Sequence, residues 1–192
     1  MTRAIQPDRF LCSPRVSRRS VLRAAAGAAL SLGLLSGLRA QSLATRSLSF
    51  VHTHTGEKLS VNYWCSGAYQ SGCLTQVNHF LRDFRTGEVC DMDAQLLDIL
   101  YDLQVMADRD AVYEVISGYR SPQTNAALHE RSSGVATKSL HMQGRAIDVR
   151  ISGFSTKKLQ QLALSAQRGG VGFYAKSDFV HLDTGRVRTW LG

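Results

Sequence analysis

The chain has 192 residues, enough for one domain with a proper core, and its 44% hydrophobic and 20% charged content is that of an ordinary soluble protein. Its net charge of +8 sits almost entirely in residues 1–44, which hold seven basic side chains against one acid; residues 45–192 hold sixteen against fourteen. A main body near neutrality lacks the basic field that draws in phosphate backbones, so no nucleic-acid partner is expected.

Residues 1–44 read as a targeting segment. Ser17-Arg18-Arg19-Ser20-Val21-Leu22-Arg23 is a twin-arginine pattern, with Val where Phe is more usual, followed by an apolar run from Ala24 to Leu38. That run is short for a membrane span, which needs about 20 apolar residues, and suits the apolar core of a signal peptide. Ala40, Ser42 and Ala44 offer small residues for cleavage; an uncleaved anchor is the alternative. The expected organisation is a twin-arginine signal peptide over 1–44 and a single domain over 45–192. The domain would be exported folded to the periplasm and meet the membrane only during export. Cys65, Cys73 and Cys90 remain after the leader; a Cys65–Cys73 bridge closes the shortest loop, and Cys90 reads as a small buried apolar residue.

Beyond the leader, Leu48–His54 and Lys58–Trp64 alternate in polarity around Thr55-Gly56-Glu57, the pattern of a hairpin. Leu74–Arg85 and Asp93–Met106 carry apolar residues at helical spacing, the second with Asp93 as its N-cap. Val112–Ile116 is a β-branched strand, and Ser121-Pro122 opens a helix running to about Arg131 with Pro at its first position. Ala146–Ile151 alternates as a strand. Ser155–Arg168 is a helix capped by Ser155 and stopped by Gly169-Gly170. Val171–Tyr174 and Phe179–Leu182 are short strands around Lys176-Ser177. The fold class expected is α+β, with helices leading into a small antiparallel sheet.

Of six histidines, His52, His54, His79 and His129 fall on faces expected to be solvated. His141 and His181 lie beside strands in a stretch rich in Gly and Asp. In Ser139-Leu140-His141-Met142-Gln143-Gly144-Arg145-Ala146-Ile147-Asp148, Gly144 lets the backbone fold His141 over the following strand. Ala146 leaves room beside Asp148 on the same face. His181 shares a strand face with Phe179 and Asp183. Two imidazoles and one carboxylate are the usual ligands of a catalytic zinc, with water in the fourth position. Two structural histidines and a strand-end aspartate are the plainer alternative.

The pattern Ser139-x-His141-x-x-Gly144-x-Ala146-x-Asp148, with the His181 strand some thirty residues later, resembles the signature of the D-alanyl-D-alanine peptidase family. These are M15-type zinc enzymes of cell-wall metabolism that share a fold with the hedgehog signalling domain. The resemblance runs over nearly all of 48–190. It includes Asn78-His79-Phe80-Leu81-Arg82-Asp83, Ile116-Ser117-Gly118-Tyr119-Arg120-Ser121, Gly169-Gly170-Val171-Gly172-Phe173-Tyr174 and Phe179-Val180-His181-Leu182-Asp183-Thr184-Gly185. It is most similar to a subgroup of murein endopeptidases that cut crosslinks between peptidoglycan stems.

The resemblance implies Zn2+ on His141, Asp148 and His181, and peptidoglycan as partner. It also implies Arg120 facing the reacting carbonyl, where a guanidinium would stabilise an oxyanion. Ser139 bonds substrate or orients its loop. Dipeptidase relatives carry a glutamate three residues before the last histidine; here that place holds Asp178, one methylene shorter, with Asp183 as rival base or as partner of the imidazole. The activity implied is a murein endopeptidase using a zinc-activated water. A D,D-carboxypeptidase trimming terminal D-alanine and a non-catalytic, zinc-containing wall-binding module are the alternatives.

Overall fold

A computed structural model describes residues 45–131 and 135–192; the leader lies outside the described residues. The chain opens with strands β1 (Arg46–His52) and β2 (Lys58–Cys65), an antiparallel hairpin turning at Gly56 with φ +71°. Leu48, Phe50 and His52 alternate to the buried side, as the polarity pattern requires. The register carries His52 inward too, where it is 1% exposed against the rings of Phe80 and Phe84. The expectation that His52 is solvated is therefore corrected: period two places it with Leu48 and Phe50, and its Nδ1 accepts the N–H groups of His54 and Thr55.

A two-residue strand β3 (Ala68–Tyr69) precedes helix α1 (Ser71–Phe80). The helix expected to reach Arg85 stops five residues early. Asp83 ends it, because its buried carboxylate accepts the N–H groups of Arg85 (3.0 Å) and Ser121 (2.9 Å) and so offers the backbone an alternative to helical bonding. Helix α2 (Ala94–Met106), capped by Asp93, strand β4 (Val112–Ser117) and helix α3 (Pro122–Arg131) follow as expected. Strand β5 (Ala146–Ile151) leads to helix α4 (Thr156–Ala166), capped by Ser155. Gln167, not glycine, takes the left-handed position that ends α4; Gly170 already belongs to strand β6 (Gly170–Tyr174). Strands β7 (Phe179–Asp183) and β8 (Arg188–Leu191) complete the chain.

All eight strands form one sheet, in the order β3-β2-β1-β4-β5-β7-β6-β8. The α+β class holds, but the sheet is neither small nor wholly antiparallel, since β1–β4 and β6–β8 pair in parallel and helices are interleaved with strands. Alternating polarity gives each strand's buried side without naming its neighbour, so the parallel pairs carry no local sequence signal. Helices α1, α2 and α4 pack against one face, where Phe50, Tyr113, Val149, Val180, Leu97 and Leu100 form the core. Among the described residues no helix is long and apolar enough to cross a membrane. Cys73 and Cys90 are free thiols, so Cys73 does not bridge to Cys65. Cys90, expected to be buried, is half-buried.

Candidate metal centre

The site lies on the sheet face away from the helices. Antiparallel register sets Asp148 of β5 directly opposite His181 of β7, and Ala146 opposite Asp183. Their neighbours Ile147, Val149, Val180 and Leu182 point into the core, so alternation sends Asp148 and His181 out on the other side together. A single 3₁₀ turn, Leu140–Gln143, brings the third side chain. Ser139 opens it, its hydroxyl accepting the His141 N–H at 3.3 Å, and Gly144 closes it at φ +66°. A Cβ at Gly144 would collide with the Asp91 carbonyl, so the residue supplies both the left-handed turn and the close approach.

Three ligand atoms meet there. His141 Nε2 lies 3.2 Å from His181 Nδ1 and 3.3 Å from Asp148 Oδ1, and the last two are 2.9 Å apart. The residues are 2%, 8% and 6% exposed, respectively for His141, His181 and Asp148. A tetrahedral ion with ligand distances of about 2.0–2.2 Å spaces its ligand atoms roughly 3.3–3.5 Å apart. The observed edges of 2.9–3.3 Å are somewhat shorter than one face of such a site, so an ion would spread the three atoms slightly, and these three residues form a group that could hold a metal ion. The outward nitrogens are both anchored: His141 Nδ1 lies 2.7 Å from the Gly118 carbonyl and His181 Nε2 lies 3.0 Å from Asp183 Oδ2. That fixes which nitrogen of each ring is turned to the centre.

The electrostatics divide the imidazoles. Burial pushes the His141 pKa down. His181 is also penalised by burial, but the carboxylates of Asp148 and Asp183 on its two edges outweigh that and push it up to about 9. Asp148, despite burial, is held well below the usual carboxylate range by the two imidazoles.

Arg120 closes one side of the triangle, its Nη2 3.5 Å from Asp148 Oδ2 and 3.3 Å from Ser117 Oγ. Its backbone N–H donates to the His141 carbonyl at 3.2 Å, and Tyr119 N–H donates to the Leu81 carbonyl at 2.7 Å, which pins the loop at both ends. Gly118 allows this, since a Cβ there would lie 2.6 Å from the Leu81 oxygen. Arg120 Nε is buried and has no hydrogen-bond partner among the described residues.

Comparison with known proteins bears on this geometry directly. A family model described as peptidoglycan L,D-endopeptidase MepK matches residues 40–190, a span that includes His141, Asp148, His181 and Arg120. The chain is 39% identical over 177 residues to peptidoglycan L,D-endopeptidase MepK of Escherichia coli (strain K12), covering 91% of this chain and 97% of that protein. The match to the protein of the same name in Shigella flexneri has the same identity and coverage. A probable peptidoglycan L,D-endopeptidase MepK of Haemophilus influenzae is 43% identical over 148 residues, covering 77% of this chain and 80% of that protein. The chain belongs to the MepK family of M15-type peptidases.

In this MepK-family chain the triangle forms the floor of a cleft of about 350 Å³. Arg120, Lys138, Tyr174, Phe179, Arg188 and Trp190 also line it. The remaining residues singled out in the sequence fall as follows. Ser139 spends its hydroxyl on the His141 turn. Asp178 is 60% exposed and turns to Thr156 (2.7 Å) and Arg150 (3.6 Å), away from the residues that line the cleft. Asp183 is fully buried and accepts from His181, Arg188, Gly170 and Gly185. Arg188 and Lys138 carry no motif that marks them in the sequence; the alternation of the four-residue β8 is the local signal for Arg188.

Proposed function

We propose that this protein is a peptidoglycan endopeptidase that hydrolyses a peptide bond in the crosslinks between stem peptides, with Zn2+ on His141, Asp148 and His181. The triangle of ligand atoms, 2.9–3.3 Å on its edges with both imidazoles anchored from behind, is the observation that carries this reading. Membership of a family described as peptidoglycan L,D-endopeptidase supports the substrate. Zinc in such a site polarises the scissile carbonyl and lowers the pKa of its water to about 7.

The chain's own residues do the rest. Arg120, fixed at its backbone and carrying an unpartnered buried Nε, faces the position where negative charge develops on the carbonyl oxygen. Arg120 and Lys138 give the cleft positive charge, suited to the free carboxylates of a stem peptide, while Tyr174, Phe179 and Trp190 give it apolar surface. Asp183 acts as partner of the His181 imidazole, its carboxylate being saturated and without exposure. Asp178 is a surface acid. Ser139 orders the His141 turn. Residues 1–44 serve as a twin-arginine signal peptide, and 45–192 work as one domain in the periplasm.

Digestion of purified, crosslinked sacculi tests the activity. Loss of dimeric muropeptides with a zinc requirement is the expected result. Release of free D-alanine alone would move the assignment to a carboxypeptidase. Retention on sacculi with no cleavage at full zinc occupancy would move it to a wall-binding module.

A further inference from the structure

We infer that Arg188 is a positioning residue for His181, holding the imidazole at its edge through Asp183 and at its face through Trp190. This rests on reading His141, Asp148 and His181 as a metal centre. Arg188 is the first residue of β8, and its guanidinium grips Asp183 with both amino groups, Nη1 to Oδ1 at 3.0 Å and Nη2 to Oδ2 at 2.6 Å. A two-pronged grip of this kind fixes a carboxylate's plane as well as its position. Asp183 Oδ1 also accepts the backbone N–H groups of Gly170 (3.0 Å) and Gly185 (2.8 Å), which leaves Oδ2 to take the His181 Nε2 hydrogen at 3.0 Å. With Nε2 so committed, Nδ1 is the nitrogen turned to the centre.

The second contact leaves from the same guanidinium. Arg188 lies over the Trp190 ring at 5.0 Å, and that indole lies 5.1 Å from the His181 ring at 54°. Its Nε1–H donates to the Tyr174 hydroxyl at 3.1 Å, which stops it from rotating away. Strand β6 lies between β7 and β8, so both contacts must cross it, and its glycines make the crossing possible. A Cβ on Gly172, which sits opposite both His181 and Trp190, would lie 2.5 Å from the indole. A Cβ on Gly170 would collide with the Arg188 guanidinium. Both glycines have φ values outside the left-handed region, so the cleared space, and not backbone conformation, is what requires glycine there.

A mutant cycle on the whole chain tests this, reading zinc affinity by competition with a chelator. Arg188→Gln is expected to weaken zinc binding by about 10–100-fold, the usual effect of removing a partner behind a ligand. If Arg188 acts through Asp183, combining it with Asp183→Asn costs much less than the product of the two single losses. Arg188→Lys, which keeps the charge and loses the fork, is expected to bind zinc more weakly than wild type and more tightly than Arg188→Gln. Gly172→Ala, which leaves the Arg188–Asp183 pair in place, is expected to weaken zinc binding and shift the visible spectrum of the cobalt-substituted protein. Wild-type affinity in both Arg188 variants, or losses that multiply in full, would overturn the proposal. Should the wild type take up no zinc, the metal reading fails on its own. The proposal is then decided by the solvent-protected His181 Nε2–H resonance of the metal-free protein, which Arg188→Gln must abolish or move and which, if unchanged, overturns it.

Discussion

His181 sits between two carboxylates, and on the proposed metal centre that would determine how a cation is taken up. Its pKa, raised to about 9, means the metal-free protein carries a charged imidazole at neutral pH. The stabilisation from that charge is complete below the unfolded value of 6.5 and is lost as pH rises through about 9. Zinc needs the same nitrogen unprotonated, so binding at pH 7 must expel the proton. His141, whose pKa burial pushes down, is already neutral and adds none. Calorimetry in buffers of different ionisation enthalpy is therefore expected to report one proton per zinc from His181 at pH 7 and about half a proton more from a zinc-bound water of pKa about 7; a total of about half a proton or less would contradict the charged His181. Two substitutions separate the roles of the nearby charges. Arg120→Ala is expected to keep one zinc per chain while kcat on a crosslinked muropeptide falls about 10²–10³-fold, as for removal of one oxyanion donor. Asp178→Ala is expected to leave both zinc content and turnover unchanged, because that carboxylate faces Thr156 and Arg150.

The elements that hold the triangle are short, and each depends on a side chain or a glycine at its end. Asp83 terminates α1 and ties it to the start of α3. Burial alone would raise its pKa, but the hydroxyls of Thr124 and Ser121 and the N–H groups of Ser121 and Arg85 hold it down at about 2. A depressed carboxylate stabilises the fold above the unfolded value of 3.8 and loses that contribution as pH falls to about 2. Acid denaturation followed from pH 5 to about 2 is expected to show a smaller loss in Asp83→Asn than in wild type, the remainder coming from other depressed carboxylates such as Asp148, with the variant starting about 1–3 kcal/mol less stable. Gly144 ends the 3₁₀ turn in the left-handed region with no space for a Cβ. Gly144→Ala is expected to lower stability by about 2–3 kcal/mol and to reduce zinc uptake as the His141 turn shifts. A thermal melt and a metal assay on the same sample check both.

At the scale of the molecule, one sheet separates two tasks. Its helix-covered face holds the core that stabilises the chain, and its other face carries the ligands on β5 and β7, the strands flanked by β4 and β6. A centre on interior strands is held by neighbours on both sides, which suits ligands that must keep a spacing of about 3 Å. Export belongs to this scale as well. Replacing Arg18 and Arg19 together with Lys is expected to leave the full-length protein in the cytoplasm with its leader intact, as fractionation and mass measurement would show. Periplasmic protein of wild-type length from that variant would remove the twin-arginine assignment.

Spacing, β-branched content, caps and turns determined β1, β2, β4 to β7, α2, α3 and α4, because each of these signals is local to its element. The Ser139–Asp148 motif and the His181 strand were legible for a related reason: their turn and small-residue requirements are local. What sequence could not supply were relations between distant segments. His52 is the exception, since the alternation of β1 already sets it on the face of Leu48 and Phe50, and only the rings of Phe80 and Phe84 that cover it come from the fold. Helix α1 was overextended since the Asp83 carboxylate that ends it is fixed by Ser121, 38 residues later. The parallel pairs and the strand β8 were missed because hydrogen-bond partners across a sheet are chosen by the packing of the whole chain. For that reason the tertiary structure alone decided that Arg188 and Trp190 reach His181 across Gly170 and Gly172.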